Sequence, residues 1–156
     1  MEVLELTIEE FSNFANNHPM HNYCQTIDYA ILMGEYGYDY ELIGYGDKNN
    51  IQIASLILTK KIGYNCYYGY APKGFLMDYS NETLLEKFTN DLKEYYNKKN
   101  FAFIKIDPEI AIGEVNKKNY KTEYNGNNFI TDLLVKNGFK KLKSNLNFEA
   151  MFPRFT

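Results

Sequence analysis

The spacing of apolar residues in the first forty positions predicts one short strand followed by two helices. The Val-Leu-Glu-Leu segment at 3–6 suits a short strand, and the Thr7/Glu10 spacing is that of a capping box, in which each residue caps the backbone amide of the other. Apolar residues then recur every three or four positions as far as about Asn16, which predicts an amphipathic helix. A second helix is predicted over about 26–37.

The middle of the chain changes to the apolar and β-branched runs that are typical of strands. Such runs occupy residues 38–45, 51–60 and 63–70, and short polar turns connect them. Consecutive strands joined by short turns favour an antiparallel meander. A loop that contains Pro72 and Gly74 ends this pattern.

The second half of the chain alternates between helix and strand. A long amphipathic helix is predicted over about 80–99, and a buried strand follows at 101–106. Residues 109–126 are rich in Asn and Lys and predict an irregular loop, of a length that is usually functional or mobile. A helix at 129–137 and a hairpin at 140–155 complete the pattern.

The predicted order of elements is β-α-α-β-β-β-α-β-α-β-β, which indicates an α+β fold with a mixed, mostly antiparallel sheet flanked by helices. This layout resembles the acyl-CoA N-acyltransferase (GNAT) fold, although a shared fold does not fix a function. A length of 156 residues is near the usual size of one domain, so we expect residues 1–156 to form a single GNAT-like domain.

Composition and charge exclude several classes of protein. Hydrophobic residues make up 45% of the chain, which is enough to bury a core, so global disorder is excluded. The longest apolar run is far below the roughly 20 residues of a membrane-spanning helix. The acidic N-terminus lacks the profile of a signal peptide, and we therefore expect a cytoplasmic protein.

Charge is distributed unevenly along a chain whose net charge is −3. Residues 105–156 carry nine basic and six acidic side chains, a balance of +3, whereas residues 1–104 carry −6. The basic third is either a solvated lysine-rich face or a surface that meets phosphates. A charge of this size predicts at most weak, salt-sensitive binding of nucleic acid.

The cysteine and histidine residues do not have the spacing of a metal site. Cys24 and Cys66 are far apart, and Pro19 interrupts the segment that holds His18 and His21. We therefore expect no metal, and reduced structural cysteines.

Four motifs are more specific than the layout of the fold. They are His-Pro at 18–19 with Gln-Thr-Ile-Asp-Tyr at 25–29, Tyr-Ala-Pro-Lys-Gly-Phe-Leu-Met-Asp-Tyr at 70–79, Ile-Lys-Ile-Asp-Pro-Glu-Ile at 104–110, and Phe-Pro-Arg at 152–154. Across nearly the whole chain, their order and spacing resemble the N-terminal region of the Fem-type aminoacyltransferases, a family that builds peptidoglycan bridges.

This resemblance implies an enzyme that transfers an amino acid from aminoacyl-tRNA to an amine of the stem peptide on a peptidoglycan precursor, either lipid II or UDP-MurNAc-pentapeptide. The family has two GNAT-like domains, so the resemblance also implies that residues 1–156 are the N-terminal part of a longer protein and are inactive alone. The implied partners are both substrates, the missing second domain and, through the lipid-linked acceptor, the surface of the inner membrane. No cofactor is implied.

The motif at 70–79 supplies four candidate substrate-binding residues. Gly74 stands where the loop needs a backbone without a side-chain clash, and Lys73 is either an anion contact or a solvated loop residue. Asp78 is placed either to order the loop through backbone amides or to bind a substrate amide. Tyr70 is either a packing residue or a substrate contact.

Asp107, at the end of the predicted buried strand, is the candidate catalytic residue, and Arg154 is a further substrate-binding candidate. A carboxylate at 107 would take a proton from the attacking amine, orient the substrate, or only cap the strand, and the sequence leaves all three roles open. Because the tRNA ester is already activated, positioning and oxyanion stabilisation should matter more than acid–base help. Arg154 also suits a surface or interdomain ion pair.

Several positions depart from the family pattern. Tyr29 replaces a Trp, and Met33 stands where the family places a Lys that meets the precursor's phosphates. Methionine cannot neutralise a phosphate, which weakens the prediction of precursor binding at this helix. Phe75 and Phe152 likewise replace a Pro and a Gln.

Two alternatives from other functional classes remain open. The first is a non-catalytic binding module of the same fold that holds a peptide or a partner on its sheet. The second is a small GNAT N-acetyltransferase that uses acetyl-coenzyme A. It is disfavoured because no glycine-rich run opens a helix after a strand to hold the pyrophosphate.

Overall fold

The computed structural model describes residues 1–111, 113–119, 121–124 and 126–142 of the chain. Within these residues the main sheet contains five strands: β1 Glu2–Glu5, β2 Asp39–Asp47, β3 Asn50–Gly63, β4 Cys66–Ala71 and β5 Phe101–Ile106. A separate short hairpin is made of β6 Gly113–Val115 and β7 Thr122–Tyr124. The helices are α1 Ile8–Asn17, α2 Ile27–Gly34, α3 Glu82–Lys98 and α4 Phe129–Lys136, and a 3-10 turn at Tyr23–Gln25 precedes α2.

Most of the predicted elements are confirmed, including the start of α1. The strand at 101–106 is present as β5, but the prediction that it is buried is wrong, since its residues are half-buried or exposed. The Thr7 hydroxyl accepts a hydrogen bond from the Glu10 amide at 3.2 Å, and the Glu10 carboxylate accepts one from the Thr7 amide at 2.8 Å. The predicted hairpin at 140–155 lies outside the described residues beyond position 142, and so does the candidate Arg154.

The prediction of an irregular loop over residues 109–126 is wrong, because β6 and β7 pair there as an antiparallel hairpin. The asparagines that suggested a loop instead close its turn. The Asn116 side chain accepts a hydrogen bond from the Lys118 amide at 2.9 Å, and the Asn119 side chain accepts one from the Lys121 amide at 3.0 Å. Asparagine marks a change of chain direction, and such a change occurs inside a hairpin as readily as in a loop.

The five described strands of the main sheet lie in the order β1-β2-β3-β4-β5. The first three pairings are antiparallel, as the meander predicted, whereas β4 and β5 are parallel because α3 crosses over between them. The architecture is therefore a mixed α+β fold with a mostly antiparallel sheet.

Helices cover both faces of this sheet and form two hydrophobic cores. The first core lies under α3 and α4 and includes Phe88 and Ile130, and the second lies under α1 and α2 and includes Phe11. Strand β3 contributes to both cores, since Ile57 faces the first and Leu56 the second. Burial on both faces explains the continuous apolar run of this strand. Among the helices of the described residues, none combines the length and the hydropathy of a membrane-spanning segment.

Candidate functional site

The C-terminal ends of β4 and β5 lie side by side, with Ala71 paired to Ile106. The loop at 72–79 leaves β4 at this edge of the sheet, and Asp107 directly follows β5. Side chains at the carboxyl ends of adjacent parallel strands commonly form ligand sites, because the chain leaves the sheet there on both strands. This edge brings together three of the residues that the sequence singled out.

The Asp107 carboxylate holds the loop after β4. One oxygen, Oδ2, accepts a hydrogen bond from the Tyr70 hydroxyl at 3.0 Å, and the other, Oδ1, accepts one from the Lys73 amide at 2.8 Å. These are the contacts of a group that positions the backbone, and each oxygen keeps a lone pair for a further donor. The geometry therefore suits substrate orientation and strand-end capping together.

The Tyr70 hydroxyl is fixed as a hydrogen-bond donor. Burial raises the pKa of this tyrosine far above its usual range, and the negative charge of Asp107 raises it further. The Lys105 ammonium lies 4.8 Å from the centre of the Tyr70 ring, in a cation–π arrangement. Tyr70 therefore binds Asp107 through its hydroxyl and supports a lysine on its face.

Lys73 has an unusual backbone conformation, and its side chain has no ion pair within the described residues. Its φ angle is 53°, in the left-handed region, and this conformation accompanies the donation of its amide to Asp107. Within the described residues, no carboxylate lies within ion-pair distance of its ammonium group. A half-buried cation of this kind is suited to an anion from outside the chain.

Gly74 is required by close packing and not by its φ angle. A Cβ atom at this position would lie 2.8 Å from Ser55 Oγ and 2.9 Å from Gln25 Nε2, closer than such atoms approach in proteins. The sequence expectation of a position without room for a side chain is therefore confirmed, whereas the positive φ angle belongs to its neighbour Lys73.

Gln25 is the residue that sequence reasoning missed as part of the site. Its side chain is fully buried, and its amide nitrogen donates to the Pro72 carbonyl at 2.7 Å and to the Leu56 carbonyl at 3.2 Å. Its amide oxygen accepts from the Leu56 amide at 2.8 Å and from the Ser55 hydroxyl at 3.4 Å. The available signal was its place in the motif at 25–29, directly before the Thr26 cap of α2.

Polar side chains from the segment before α2 also reach this edge. Asn22 Nδ2 donates to Glu109 Oε2 at 2.7 Å, which ties that segment to the residues after β5. Burial raises the pKa of the Cys24 thiol, and the nearby Lys73 charge only partly opposes this effect. Burial and the neighbouring Cys24 raise the pKa of Tyr29 to about 12, so both groups stay protonated at neutral pH.

Asp78 lies on the same loop but makes its described contacts within its own turn. One carboxylate oxygen accepts from the Ser80 amide at 2.9 Å and from the Ser80 hydroxyl at 2.6 Å. The side chain is exposed, and the turn leads directly into Asn81, whose side chain caps α3 by accepting from the Leu84 amide. Of the two roles that the sequence left open, these contacts fit the ordering of the loop.

Met33 occupies the core and not the site. Its side chain is 4% exposed and packs in the second core with Phe11 and Leu42. A lysine at this position would need to leave the core to meet a phosphate, since an unpaired buried ammonium is very unfavourable. At this edge, Lys73 donates its backbone amide to the Asp107 carboxylate, and Lys105 lies over the Tyr70 ring. The described residues contain no cluster of His, Cys, Asp or Glu that suits a metal ion.

Comparisons with known proteins support the family resemblance. The profile of the FemAB family matches residues 6–156. Aminoacyltransferase FemA of Staphylococcus aureus strain MW2 is 29% identical over 152 residues, which cover 97% of this chain and 36% of FemA, and FemA of strain NCTC 8325 / PS 47 gives the same values. A crystal structure of FemX has a TM-score of 0.76 at 25% identity and covers 99% of this chain and 36% of FemX. The chain thus spans about a third of the length of these relatives.

Proposed function

Because the chain belongs to the FemAB family, we propose that it contributes the acceptor-binding part of an aminoacyltransferase that builds peptidoglycan bridges. The proposed donor is an aminoacyl-tRNA, and the proposed acceptor is an amine on the stem peptide of a peptidoglycan precursor. The relatives named aminoacyltransferase support the reaction type. The donor and the acceptor are those that the sequence motifs imply.

The observation that carries this proposal is the contact of Asp107 with both the Tyr70 hydroxyl and the backbone of Lys73, whose ammonium has no ion pair within the described residues. The free lone pairs of the carboxylate suit an N–H donor, and the precursor supplies one in its amine. The Lys73 ammonium suits a phosphate or carboxylate of the same precursor. One edge of the sheet thus offers a carboxylate for the amine of the precursor and an ammonium group for its phosphate or carboxylate.

The chemistry asks for positioning more than for proton transfer. The amine nitrogen attacks the ester carbonyl carbon, the C–N bond forms, and the C–O bond to the tRNA ribose breaks. The amine loses one proton, and the ribose oxygen gains one. Asp107 would orient the amine by accepting its N–H, and holding the nucleophile in place accounts for much of the rate in reactions of this type.

We also propose that these residues form one GNAT-like unit of a longer, cytoplasmic enzyme. Support comes from the mixed sheet with its parallel β4–β5 pair, and from relatives that are nearly three times as long as the chain. The second unit would supply further contacts to both substrates. The lipid-linked precursor, where it is the acceptor, would bring the enzyme to the membrane surface.

A non-catalytic binding module is the second candidate function, and the contacts of Asp107 favour it because they position a loop. Because Met33 is buried in the core, Lys73 would have to bind the phosphates of a precursor. The acetyl-coenzyme A alternative has less support, because Asn81 caps the N-terminus of α3 and the carboxylate of Asp78 stands directly before it. A carboxylate at that place repels a pyrophosphate.

The proposal is tested by transfer of a labelled amino acid from charged tRNA, using the longest protein that contains this chain and both lipid II and UDP-MurNAc-pentapeptide as acceptors. We expect transfer to one acceptor, and a KM for that acceptor about tenfold higher in Lys73→Ala. Lys61→Ala, which changes an exposed lysine of β3, is the matched control. Absence of transfer with every charged tRNA rejects the enzyme, and precursor binding without transfer supports the module.

Asp107→Asn separates positioning from general-base catalysis. Loss of a positioning contact should lower kcat/KM about tenfold, whereas loss of a general base costs about 100-fold or more. The variant should also keep the pH profile of the wild-type enzyme if Asp107 positions the amine. A larger loss, together with the disappearance of an acidic limb of that profile, would assign Asp107 as the base.

A further inference from the structure

The Gln25 side chain lies where strand β4 separates from β3. The regular pairing of these strands ends at Leu58 and Tyr70, and contact with β3 resumes only where Leu76 exchanges backbone hydrogen bonds with Ala54 at 3.0 and 3.3 Å. Between these points the backbone of Leu56 faces the departing loop. Its amide and carbonyl would be unsatisfied in a buried strand, at a high cost in free energy.

The carboxamide of Gln25 takes the place of the missing strand. It pairs with both backbone groups of Leu56, just as a neighbouring peptide group would, and its remaining N–H binds the Pro72 carbonyl. Both N–H donors of the amide are therefore used, and its oxygen accepts from the Leu56 amide. Pro72 has no amide hydrogen, so regular pairing with Leu56 is impossible at this position.

The inserted amide sets the shape of the loop that carries Lys73. Gly74 packs directly on Gln25, and the segment between Pro72 and Gly74 turns outward so that the Lys73 amide reaches Asp107. A series of contacts thus runs from the Gln25 side-chain amide to the Pro72 carbonyl, and the peptide backbone continues from there to Lys73. The link spans 47 positions in the sequence and joins the start of α2 to the end of β4.

We propose that Gln25 is a positioning residue, which fixes the direction of the Lys73 side chain and of its amide by filling the gap between β3 and the loop. Gln25 is fully buried and touches no substrate itself. The inference rests on the proposed function for its effect on catalysis, but its effect on the Lys73 backbone holds whatever the enzyme transfers.

The first experiment therefore needs no activity. Amide hydrogen exchange of this chain is measured by NMR for the wild type, for Gln25→Met and for Gln52→Met, which makes the same change at an exposed glutamine of β3. We expect Gln25→Met to lower the protection of the Lys73 amide about tenfold or more, and Gln52→Met to leave it unchanged. Unchanged protection in Gln25→Met overturns the proposal.

Gln25→Glu extends the test if the methionine variant does not fold. The carboxylate keeps the acceptors but loses both donors, and protonation restores one donor for Pro72. Protection of the Lys73 amide, corrected for the intrinsic pH dependence of exchange, should therefore recover as the pH falls. A variant that recovers its global stability without recovering Lys73 protection contradicts the proposal.

The second experiment measures the acceptor KM in the longest active protein. Gln25→Met should raise this KM about tenfold in the wild-type background and should change it little in Lys73→Ala, because the residue it positions is gone. The loss of thermal stability should be the same in both backgrounds. Additive effects on KM would overturn the link to Lys73, whereas an inactive wild-type protein rejects only the proposed function and leaves the exchange result standing.

Discussion

Strand β5 has a cluster of lysine, tyrosine and carboxylate side chains at each end, and the two clusters differ in how their charges are paired. Before the strand, the Lys99 ammonium donates to Glu5 at 2.9 Å, to Glu41 at 3.1 Å and to the Tyr95 hydroxyl at 2.8 Å. After the strand, the Asp107 carboxylate accepts from a hydroxyl and a backbone amide, and the nearest loop lysine has no described ion pair. Among the residues that the structure describes, the charges of the first cluster are paired, and the lysine of the second cluster has no ion pair.

This difference separates a structural role from the functional role that we propose for the Asp107 end. Burial alone would lower the pKa of Lys99, but its hydrogen bonds to Tyr95, Glu5 and Glu41 outweigh that effect and raise the pKa. These contacts join β1, β2 and α3 through one ammonium group. At the other end of β5, Asp107 uses its carboxylate to hold a loop. The Lys73 ammonium on that loop has no ion pair within the described residues and is the group that we propose binds a ligand.

The largest expected effect on stability comes from closing the space at the Asp107 end. Gly74→Ala should lower the free energy of unfolding by about 2 kcal/mol, because the new Cβ displaces the hydrogen-bonded ends of Ser55 and Gln25. Gly34→Ala is the matched control, since nothing lies within 4 Å of the new atom. Chemical denaturation measures both, and equal effects of the two changes would contradict the assigned packing.

A smaller loss should follow from removing the ammonium of the first cluster. Lys99→Met should cost about 1–2 kcal/mol, because Glu41 and Glu5 lose their shared partner. The neighbouring residue Lys98 provides the control, because it forms an exposed ion pair with Glu94. Lys98→Met breaks this pair and should cost no more than about 0.5 kcal/mol. If added salt weakens the two variants and the wild type alike, the Lys99 cluster has no measurable electrostatic strength.

The first cluster should also respond to acid. Hydrogen bonds from Lys99 and Tyr95 hold the pKa of Glu5 below its usual value, so its contribution to stability is present above about pH 4 and is lost as the pH falls through the folded-state pKa. Between pH 5 and 3, Glu5→Gln should therefore lose a few tenths of a kcal/mol less than the wild type. Glu9→Gln, at an exposed position of α1 without a described ion pair, should behave as the wild type does.

The smallest effect on stability should come from removing the ammonium of Lys73, which has no ion pair among the described residues. Lys73→Ala should change the free energy of unfolding by less than about 0.5 kcal/mol, while it raises the acceptor KM. Replacing a non-glycine residue at a φ of 53° by alanine keeps the backbone cost nearly constant, so the change isolates the ammonium. A loss as large as that of Lys99→Met would mean that Lys73 is structural.

The sequence predicted most elements of the fold because their signals are local. The capping box before α1 and the doubly buried run of β3 depend on residues close together in the chain. The motifs likewise identified Asp107 and Lys73 as candidates from residue type and spacing alone. Their roles stay predictions, since contacts alone do not show what a side chain does to a substrate.

The features that sequence reasoning missed depend on distant parts of the chain. Gln25 is polar and fully buried, which makes sense only once β4 is seen to leave the sheet opposite Leu56. The sequence placed the special backbone position of this loop at Gly74 on account of residue type, but the positive φ angle lies at Lys73, whose amide contacts Asp107. Tertiary contacts decide both cases, and no local pattern reports them.

The crossover that makes β4 and β5 parallel also has a consequence for the order of folding. The meander from β2 to β4 closes through short turns, whereas Tyr70 and Asp107 are 37 positions apart and meet only after α3 has docked. Closing a loop of more residues costs more conformational entropy, and this cost arises before native contacts can offset it. We therefore expect the site to be unformed in the folding transition state. Changes at Asp107 should then leave the folding rate unchanged and speed unfolding. The edge proposed to bind substrate would then assemble after the meander from β2 to β4.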